Sequence, residues 1–285
     1  MSNAEPNPNR EIAIALDAIA LTIAGSDPSG GAGLQADLKA FQQNGVYGMS
    51  VVTLITVQNT LGVGHVELLS PELIIQQYDA VVSDIPPRAI KTGALGNATI
   101  IAEIASRLSM CDCPIVVDPV MVSKHGAALV DDAAVEAYRD EMLPVATLLT
   151  PNLYEAERLL GRKIGRQLDD LLRATQDLQE LGPEQVLLKA GEFEGSQLHV
   201  LATAENIVTL AVERHETNQT HGAGCSLSAV IAARIALIPP EQELEARVRA
   251  AVDFAIPAIN HAVRFAPGYG TGSGPVESRV LHYGD

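Results

Sequence analysis

Short apolar runs alternate with segments of helical periodicity along most of the chain. Ala18–Ala24, Ile115–Val117 and Val186–Leu188 are too short for helices and are predicted to be buried strands. Leu34, Leu38 and Phe41 instead recur at helical spacing, so a helix is predicted there. Strands are also predicted at Val46–Val57, Ala89–Lys91, Ala146–Leu149, Leu198–Ala202 and Ile207–Ala211, and helices from Pro71, at Ile100–Leu108, near Asp131–Met142, from Asn152, at Leu168–Leu181 and twice more near the C-terminus. This alternation favours right-handed crossovers, and thus an α/β fold whose mostly parallel sheet is covered on both faces.

Polar side chains follow several of the predicted strands at the point where each strand ends. Gln58, Asp118, Asn152 and Lys189 all occupy such positions. Ligands of parallel α/β sheets bind beyond the carboxyl ends of the strands. We therefore expect these four residues to meet at one rim of the sheet.

A glycine-rich stretch, Thr217–Val230, leads into one of the last predicted helices. Gly222 and Gly224 let the backbone approach a ligand closely, and a helix N-terminus binds anions through its free N–H groups and dipole. Cys225 follows in the first turn, where the dipole is expected to lower the pKa of a thiol. Together these features suit phosphoryl transfer to an alcohol. The same pattern also fits a simple turn before a core helix with a small buried cysteine.

Side chains at this rim and next to it are suited to magnesium and phosphate. Asp118, Asn152 and Glu155 offer the hard oxygen atoms that Mg²⁺ prefers. Asn152 and Glu155 also have the spacing of a helix N-cap and its capping-box partner, and both roles can hold together. Lys189 could neutralise a transferring phosphate, although a lysine at a strand end more often extends to solvent.

The composition excludes several other classes of protein. The 285 residues, 47% of them hydrophobic, suffice for one domain, expected at 18–285 after a disordered, polar leader at 1–17. No apolar run spans a bilayer and no signal peptide is recognisable. The net charge of −16 argues against nucleic-acid and anionic-membrane partners. Three cysteines without a secretion signal predict reduced thiols in the cytoplasm, and Cys111 and Cys113 lack the spacing of a zinc site.

Five motifs follow one another along the chain. They are Leu21–Lys39 (LTIAGSDPSGGAGLQADLK), Val57–Thr60 (VQNT), Asp118–Lys124 (DPVMVSK), Thr150–Asn152 with Glu155, and Thr220–Cys225 (THGAGC). In this order they closely resemble the motifs of the hydroxymethylpyrimidine/phosphomethylpyrimidine kinases, thiamine-pathway enzymes of the ribokinase superfamily. The resemblance extends from about Leu21 to the glycine-rich tail at Gly268–Pro275.

The resemblance implies a ribokinase-like three-layer α/β/α sandwich that phosphorylates a hydroxymethylpyrimidine twice, with ATP and Mg²⁺, in the thiamine pathway. It further implies a cytoplasmic homodimer. It implies that Gln58, Ala32, Asp37 and Ala94 line the pyrimidine pocket, that Asp118 and Glu155 organise magnesium, and that Asn152 and Lys189 lie near the nucleotide phosphates, with Lys189 also in the catalytic set. The anion hole is expected from Gly222, Ala223, Gly224 and Cys225, and Cys225 is expected to act either as base or as positioner of the alcohol.

The sequence departs from the family pattern at three places. Ala94 stands where the family often has Met, Glu192 falls in a segment usually read as Lys-Gly-Gly-His, and His125 replaces a common Ser. Ala94 implies a roomier pocket. Pyridoxal kinase is the alternative activity, because relatives with the same cysteine-containing loop also phosphorylate pyridoxal. The segment Met121–Lys124 favours the pyrimidine, and Ala94 weakens that preference. His125 suits an exposed loop. A catalytically silent pyrimidine sensor is a third reading, disfavoured because the phosphate-handling residues are complete.

Overall fold

The computed structural model describes residues 18–122 and 130–282. The predicted leader at 1–17 lies outside these residues. So do Ser123, Lys124 and His125, which belong to one of the motifs discussed above.

A nine-stranded sheet in the order β3-β2-β1-β4-β5-β6-β7-β8-β9 forms the centre of the described chain. The strands are β1 (Ile19–Ser26), β2 (Tyr47–Asn59), β3 (Gly62–Leu68), β4 (Ala89–Thr92), β5 (Ile115–Val117), β6 (Leu148–Leu149), β7 (Gln185–Phe193), β8 (Ser196–Ala202) and β9 (Ile207–Glu213). The six strands from β2 to β7 in this order run parallel. Strand β3 pairs antiparallel with β2, and β8 pairs antiparallel with both β7 and β9. The predicted mostly parallel sheet is confirmed.

Eight α-helices connect the strands within the described residues. They are α1 (Gly33–Gln43), α2 (Pro71–Asp84), α3 (Ala98–Leu108), α4 (Asp132–Ala137), α5 (Leu153–Leu160), α6 (Leu168–Gln179), α7 (Ala223–Leu237) and α8 (Leu244–Arg264). Helix α2 begins as predicted, with Pro71 in its first turn and the Ser70 hydroxyl accepting the Leu73 amide. Local capping signals therefore set this boundary.

The helices form two separate layers, one on each face of the sheet. Helices α2 to α6 pack on one face, with Ile104 and Leu178 in that core. Helices α1, α7 and α8 pack on the other, around Phe41 and Ile231. This arrangement is the predicted three-layer sandwich. Among the residues that the structure describes, no helix combines the length and the apolar character needed to cross a bilayer.

Two elements differ from the sequence prediction. Strand β3 was not predicted; it pairs antiparallel with β2, and its side chains are mostly exposed, so it lacks a buried apolar run. The helix expected near Asp131–Met142 is α-helical only to Ala137, and then widens into a π-helical turn at Tyr138–Met142. Tyr138 and Met142 are buried in the core, which shows that packing determines the geometry of this turn.

Leu178→Ala and Leu73→Ala form a matched test of the core on the α2–α6 face. Leu178 in α6 is fully buried, whereas Leu73 in α2 is 46% exposed. We expect Leu178→Ala to lower the free energy of unfolding by about 2–5 kcal/mol, because it leaves a cavity, and Leu73→Ala by under about 1 kcal/mol. Urea unfolding measures both. Equal losses would contradict the assigned core.

Candidate active site

A cavity of about 450 Å³ opens at the carboxyl ends of the parallel strands. Its walls come from the loops after β1, β4, β5 and β6, from β2 and β7, and from the start of α7. Every predicted site residue except Asp37 lines it: Ala32, Gln58, Ala94, Asp118, Asn152, Glu155, Lys189, Gly222, Ala223, Gly224 and Cys225. The structure thus brings together at one rim residues that are far apart in the sequence.

The loop before α7 is pressed against the glycine loop after β1. Gly222 adopts a left-handed conformation with φ of 75°, and a Cβ on it would overlap the carbonyl oxygen of Gly31. Helix α7 begins at the next residue, as the sequence predicts. The Ala223 amide already donates to Thr220 O at 3.2 Å. The amides of Gly224 and Cys225 are therefore the first-turn donors best placed for an anion.

Asp118 and Lys189 form a buried charged pair at the centre of the cavity. Lys189 Nζ lies 3.0 Å from Asp118 Oδ1, and the hydroxyl of Ser228 donates to Asp118 Oδ2 at 3.3 Å. Burial alone would lower the pKa of Lys189, but the negative charges of Asp118 and Glu155 outweigh it and raise this pKa. Lys189 therefore stays cationic and does not extend to bulk solvent.

Asn152 and Glu155 form the capping box of α5. The Asn152 side chain accepts the Glu155 amide at 2.9 Å, and Glu155 Oε2 accepts the Asn152 amide at 2.8 Å. Burial raises the pKa of Glu155 to about 7, even though Lys189 opposes the shift. A buried carboxylate with too little positive charge nearby fits a site for a divalent cation. The described residues contain no cluster of three or more ligating side chains.

Asp37 does not line the cavity, so its predicted place in the pyrimidine pocket is wrong. It lies fully buried one layer behind, where it accepts hydrogen bonds from Thr22 at 2.6 Å and from Lys91 Nζ at 2.8 Å. Lys91 lines the cavity instead. Burial alone would lower the pKa of Lys91, but the charges of Asp37, Cys225 and Asp118 raise it.

Sequence reasoning missed Lys91, although a usable signal was present. The residue follows the apolar pair Ala89-Ile90 in a predicted buried strand, and an ammonium group there needs a partner. Asp37 therefore lies near the site, but it pairs with Lys91 and does not contact the cavity.

Cys225 lies in the cavity, but its expected low pKa is wrong. Burial raises the pKa of the Cys225 thiol to about 11, although the charge of Lys91 opposes the shift. Asp118 and Asp37 add to the increase, and the Gly33 amide donates to the sulfur. The position at a helix N-terminus does not compensate for these nearby carboxylates and for the loss of water. The thiol is therefore protonated at neutral pH in the ligand-free protein.

His221 joins Gln58, in the wall of the cavity, to the loop after β1. Its Nε2 lies 2.8 Å from Asp27 Oδ2 and 3.2 Å from Gln58 Nε2. Burial would raise the pKa of Asp27, but hydrogen bonds from His221 and Ser29 lower it. Asp27 also accepts the Ala32 amide at 2.9 Å. His221 and Asp27 belong to the sequence motifs, but no role was predicted for either. Their contact holds the two glycine loops in a fixed position relative to each other.

A second cavity, of about 350 Å³, adjoins the first. The two share Lys189, Gln197, Thr220, Ala223 and Gly224, and the second extends along β8 and β9 towards α8. His199 lines it, and burial together with the charge of Lys189 lowers the pKa of His199 to about 4. Two neighbouring cavities with a shared lysine and helix N-terminus can hold a phosphoryl donor and an acceptor.

Comparison with known sequences identifies close relatives. The sequence model of the phosphomethylpyrimidine kinase family matches residues 27–277. A hydroxymethylpyrimidine/phosphomethylpyrimidine kinase of Synechococcus elongatus is 43% identical over 263 residues, which cover 88% of this chain and 95% of the relative. The enzyme of the same name from Rhizobium meliloti is 42% identical and is covered to 97% of its length.

Solved structures with the same fold include two kinds of vitamin kinase. The phosphomethylpyrimidine kinase of Clostridium difficile is 40% identical, with a TM-score of 0.71 over 85% of this chain and 99% of that one. A pyridoxal kinase of Staphylococcus aureus in complex with AMP-PCP and pyridoxal is 30% identical, with a TM-score of 0.81 over 92% of this chain and 94% of that one. These similarities confirm the expected ribokinase-like sandwich.

Asp37→Asn tests the charged pair behind the cavity. The change removes the carboxylate beside Lys91 and leaves a buried ammonium without its counter-charge, so we expect stability to fall by about 3–5 kcal/mol. Asp79→Asn is the control, because Asp79 pairs with Arg107 at the surface at 3.3 Å, and its loss should cost under about 1 kcal/mol. Urea unfolding measures the loss of stability in both variants. Equal losses would show that the buried Asp37–Lys91 pair stabilises the fold no more than the surface pair does.

Alkylation rates test the protonation state of Cys225. At pH 7 the thiol with a pKa of about 11 should react with iodoacetamide more slowly than Cys111, whose pKa the hydrogen bond from Cys113 lowers to about 6. Peptide mass mapping over time measures both rates in one sample. Faster modification of Cys225 than of Cys111 would contradict the raised pKa of Cys225 and support the low pKa predicted from the sequence.

Proposed function

The chain belongs to the phosphomethylpyrimidine kinase family, and we propose on that basis that it transfers phosphate from ATP to 4-amino-5-hydroxymethyl-2-methylpyrimidine and then to the monophosphate, in thiamine biosynthesis. The observation that carries the proposal is the wall common to the two cavities. Lys189 and Gly224 face both, so a donor in one and an alcohol in the other would meet beside a cation and a helix N-terminus.

The residues around this wall have separate roles. The pyrimidine lies against Gln58, Ala32 and Ala94, with its hydroxymethyl group towards Cys225. The amides of Gly224 and Cys225, together with Lys189, stabilise the charge on the transferring phosphoryl group. Asn152 lies near the nucleotide phosphates. Because no covalent intermediate on the protein is required, catalysis comes from positioning and electrostatics.

The triphosphate occupies the second cavity. The Staphylococcus aureus pyridoxal kinase was solved with the nucleotide analogue AMP-PCP, which supports nucleotide binding in this fold. The cavity between β8, β9 and α8 supplies apolar surface from Val212, Ile256 and Ile259, and Arg214 at its edge suits an anion. Lys189 at the inner end then faces the terminal phosphates.

Magnesium is the cation for which Glu155 and Asp118 are suited. The two carboxylates line the same cavity, and the raised pKa of Glu155, about 7, reflects burial with insufficient counter-charge. When bound, the ion would neutralise charge on the phosphates. Glu155 would hold its waters, while Asp118 pairs with Lys189 and keeps it in place.

A homodimer is supported by the edge of the sheet at β2 and β3. Large apolar side chains are exposed there, including Val57 at 63% and Leu61 at 64%, and Tyr47 and Ile55 lie on the same strand as Val57. A patch of this kind favours association with a second copy. Sedimentation should show a dimer that Val57→Asp dissociates, and a monomeric wild-type protein would refute the assignment.

A cytoplasmic location, and the lack of a nucleic-acid partner, complete the proposal. All three cysteines are free thiols, which suits a reducing compartment. The net charge of −16 opposes binding to polyanions.

Pyridoxal kinase is the second candidate, because the small side chain of Ala94 lines the cavity and several neighbouring structures are pyridoxal kinases. Release of ADP from ATP with each alcohol, and with the pyrimidine monophosphate, separates the two. We expect a higher kcat/KM for both pyrimidines than for pyridoxal. A preference for pyridoxal would make the second candidate correct, and no ADP with any of them would leave a silent sensor. The Lys189→Ala variant, purified in the same way, measures the ADP that contaminating kinases release.

Glu155→Gln tests the role of the buried carboxylate. Gln can still accept the Asn152 amide and preserve the capping box, so the fold should persist while a charge is lost. We expect a higher magnesium concentration for half-maximal activity and a lower kcat. Glu157→Gln is the control in the same helix, since Glu157 pairs with Lys163 outside the cavity. Identical magnesium dependence in the two variants would show that Glu155 acts only in capping the helix.

Cys225→Ser and Cys225→Ala together distinguish positioning from base catalysis. A thiol with a pKa of about 11 is protonated at neutral pH, so we expect it to orient the alcohol through a hydrogen bond. Serine keeps that bond and should stay within about tenfold of the wild-type kcat, whereas alanine should lose about a hundredfold. Equal losses in both variants would instead assign the thiolate as general base.

A further inference from the structure

Cys111 and Cys113 form a thiol pair far from the active site. Their sulfur atoms lie 3.1 Å apart, and both side chains are half-buried, so small molecules can reach them. They occupy the loop between the end of α3 at Leu108 and the start of β5 at Ile115. This loop lies at the amino ends of the parallel strands, whereas the cavity described above lies at their carboxyl ends.

The pair lines a surface cavity of about 650 Å³. Tyr78 forms part of its wall, with Pro86, Pro87 and Arg107 around it. The cavity gives a small molecule access to the two thiols. Arg107 is already paired with Asp79 at 3.3 Å, so the site admits a peptide-sized disulfide without a net attraction for anions.

Zinc does not fit the pair. Two thiolates on tetrahedral zinc are about 3.8 Å apart, given a Zn–S distance of about 2.3 Å, and the sulfur atoms here are closer. The described residues also hold no group of three or more potential ligands that would complete such a site. A covalent bond between the sulfurs instead requires them to approach by only about 1 Å, to about 2.05 Å. The loop can make this movement without breaking strand pairing, because β5 begins after Pro114.

We propose that Cys111 and Cys113 are a redox-active dithiol that reacts with small disulfides of the glutathione class and closes into an intrachain disulfide. The two sulfurs have different roles. The hydrogen bond that the two thiols share lowers the pKa of Cys111 to about 6, whereas the same bond and burial raise the pKa of Cys113. Cys111 is therefore the attacking thiolate and Cys113 the resolving thiol.

The reaction has two exchange steps. The Cys111 thiolate attacks one sulfur of the small disulfide, forms a mixed disulfide and releases one thiolate. The thiol of Cys113 loses its proton to that thiolate or to water, attacks Cys111 Sγ and releases the second small thiol. In total the protein loses two protons and two electrons, the equivalent of two hydrogen atoms, and the small disulfide takes them up to become two thiols. Excess dithiothreitol reverses the sequence.

Incubation of the reduced full-length protein with glutathione disulfide at pH 7 tests this proposal. Intact mass and peptide mapping should show the loss of two hydrogen atoms, a Cys111–Cys113 bond and a free Cys225. Cys113→Ser should instead retain one glutathione on Cys111, formed more than about tenfold faster than any adduct on Cys225. Cys111→Ser, the matched control, should form neither the internal bond nor a rapid adduct.

The wild-type result alone decides the proposal if a variant fails to fold. Unmodified thiols, glutathione retained on either cysteine of the wild-type protein, or a disulfide between two chains would each overturn it. Preferential reaction of Cys225 would do the same.

Discussion

The close contact between two glycine loops is the constraint on which the site depends. The loop after β1 and the loop before α7 approach so closely that a Cβ on Gly222 would overlap the Gly31 carbonyl, and one on Gly31 would lie 2.6 Å from the His221 ring. Asp27 joins the same loops through His221 at 2.8 Å. This contact fixes the start of α7 relative to the sheet, and so places the amides of Gly224 and Cys225 beside Lys189.

Buried charges then determine what the cavity can bind. Two lysines face it, each held by an aspartate: Lys189 by Asp118 at 3.0 Å and Lys91 by Asp37 at 2.8 Å. In a chain with a net charge of −16, these ammonium groups and the α7 N-terminus provide local positive potential for anionic phosphates. Burial has the opposite consequence for Cys225, because the same loss of water that strengthens the ion pairs favours the neutral thiol.

Sequence patterns were sufficient for the fold and for the residues at the rim. Buried strands carry apolar runs, and their carboxyl ends must meet at one edge, so Asp118, Asn152 and Lys189 could be placed together without coordinates. Strand β3 was missed because its exposed side chains give no such run. Asp37 was expected in the cavity and Lys91 was overlooked, because a motif identifies residues near a site, whereas only packing shows which of them contacts the cavity. The pKa of Cys225 depends on burial and on carboxylates distant in sequence, which no local pattern reports.

The most direct test of this account compares turnover by Gly222→Ala and Gly195→Ala. Both glycines have positive φ, of 75° and 82°, so both alanines carry similar backbone strain, but only the one at 222 would strike Gly31, since nothing lies within 4 Å of a Cβ at 195. The account predicts that Gly222→Ala lowers kcat/KM for the hydroxymethylpyrimidine by about a hundredfold, while Gly195→Ala stays near wild type and both variants remain folded by thermal unfolding. Equal turnover in two folded variants would contradict the claim that this contact builds the phosphoryl-transfer site.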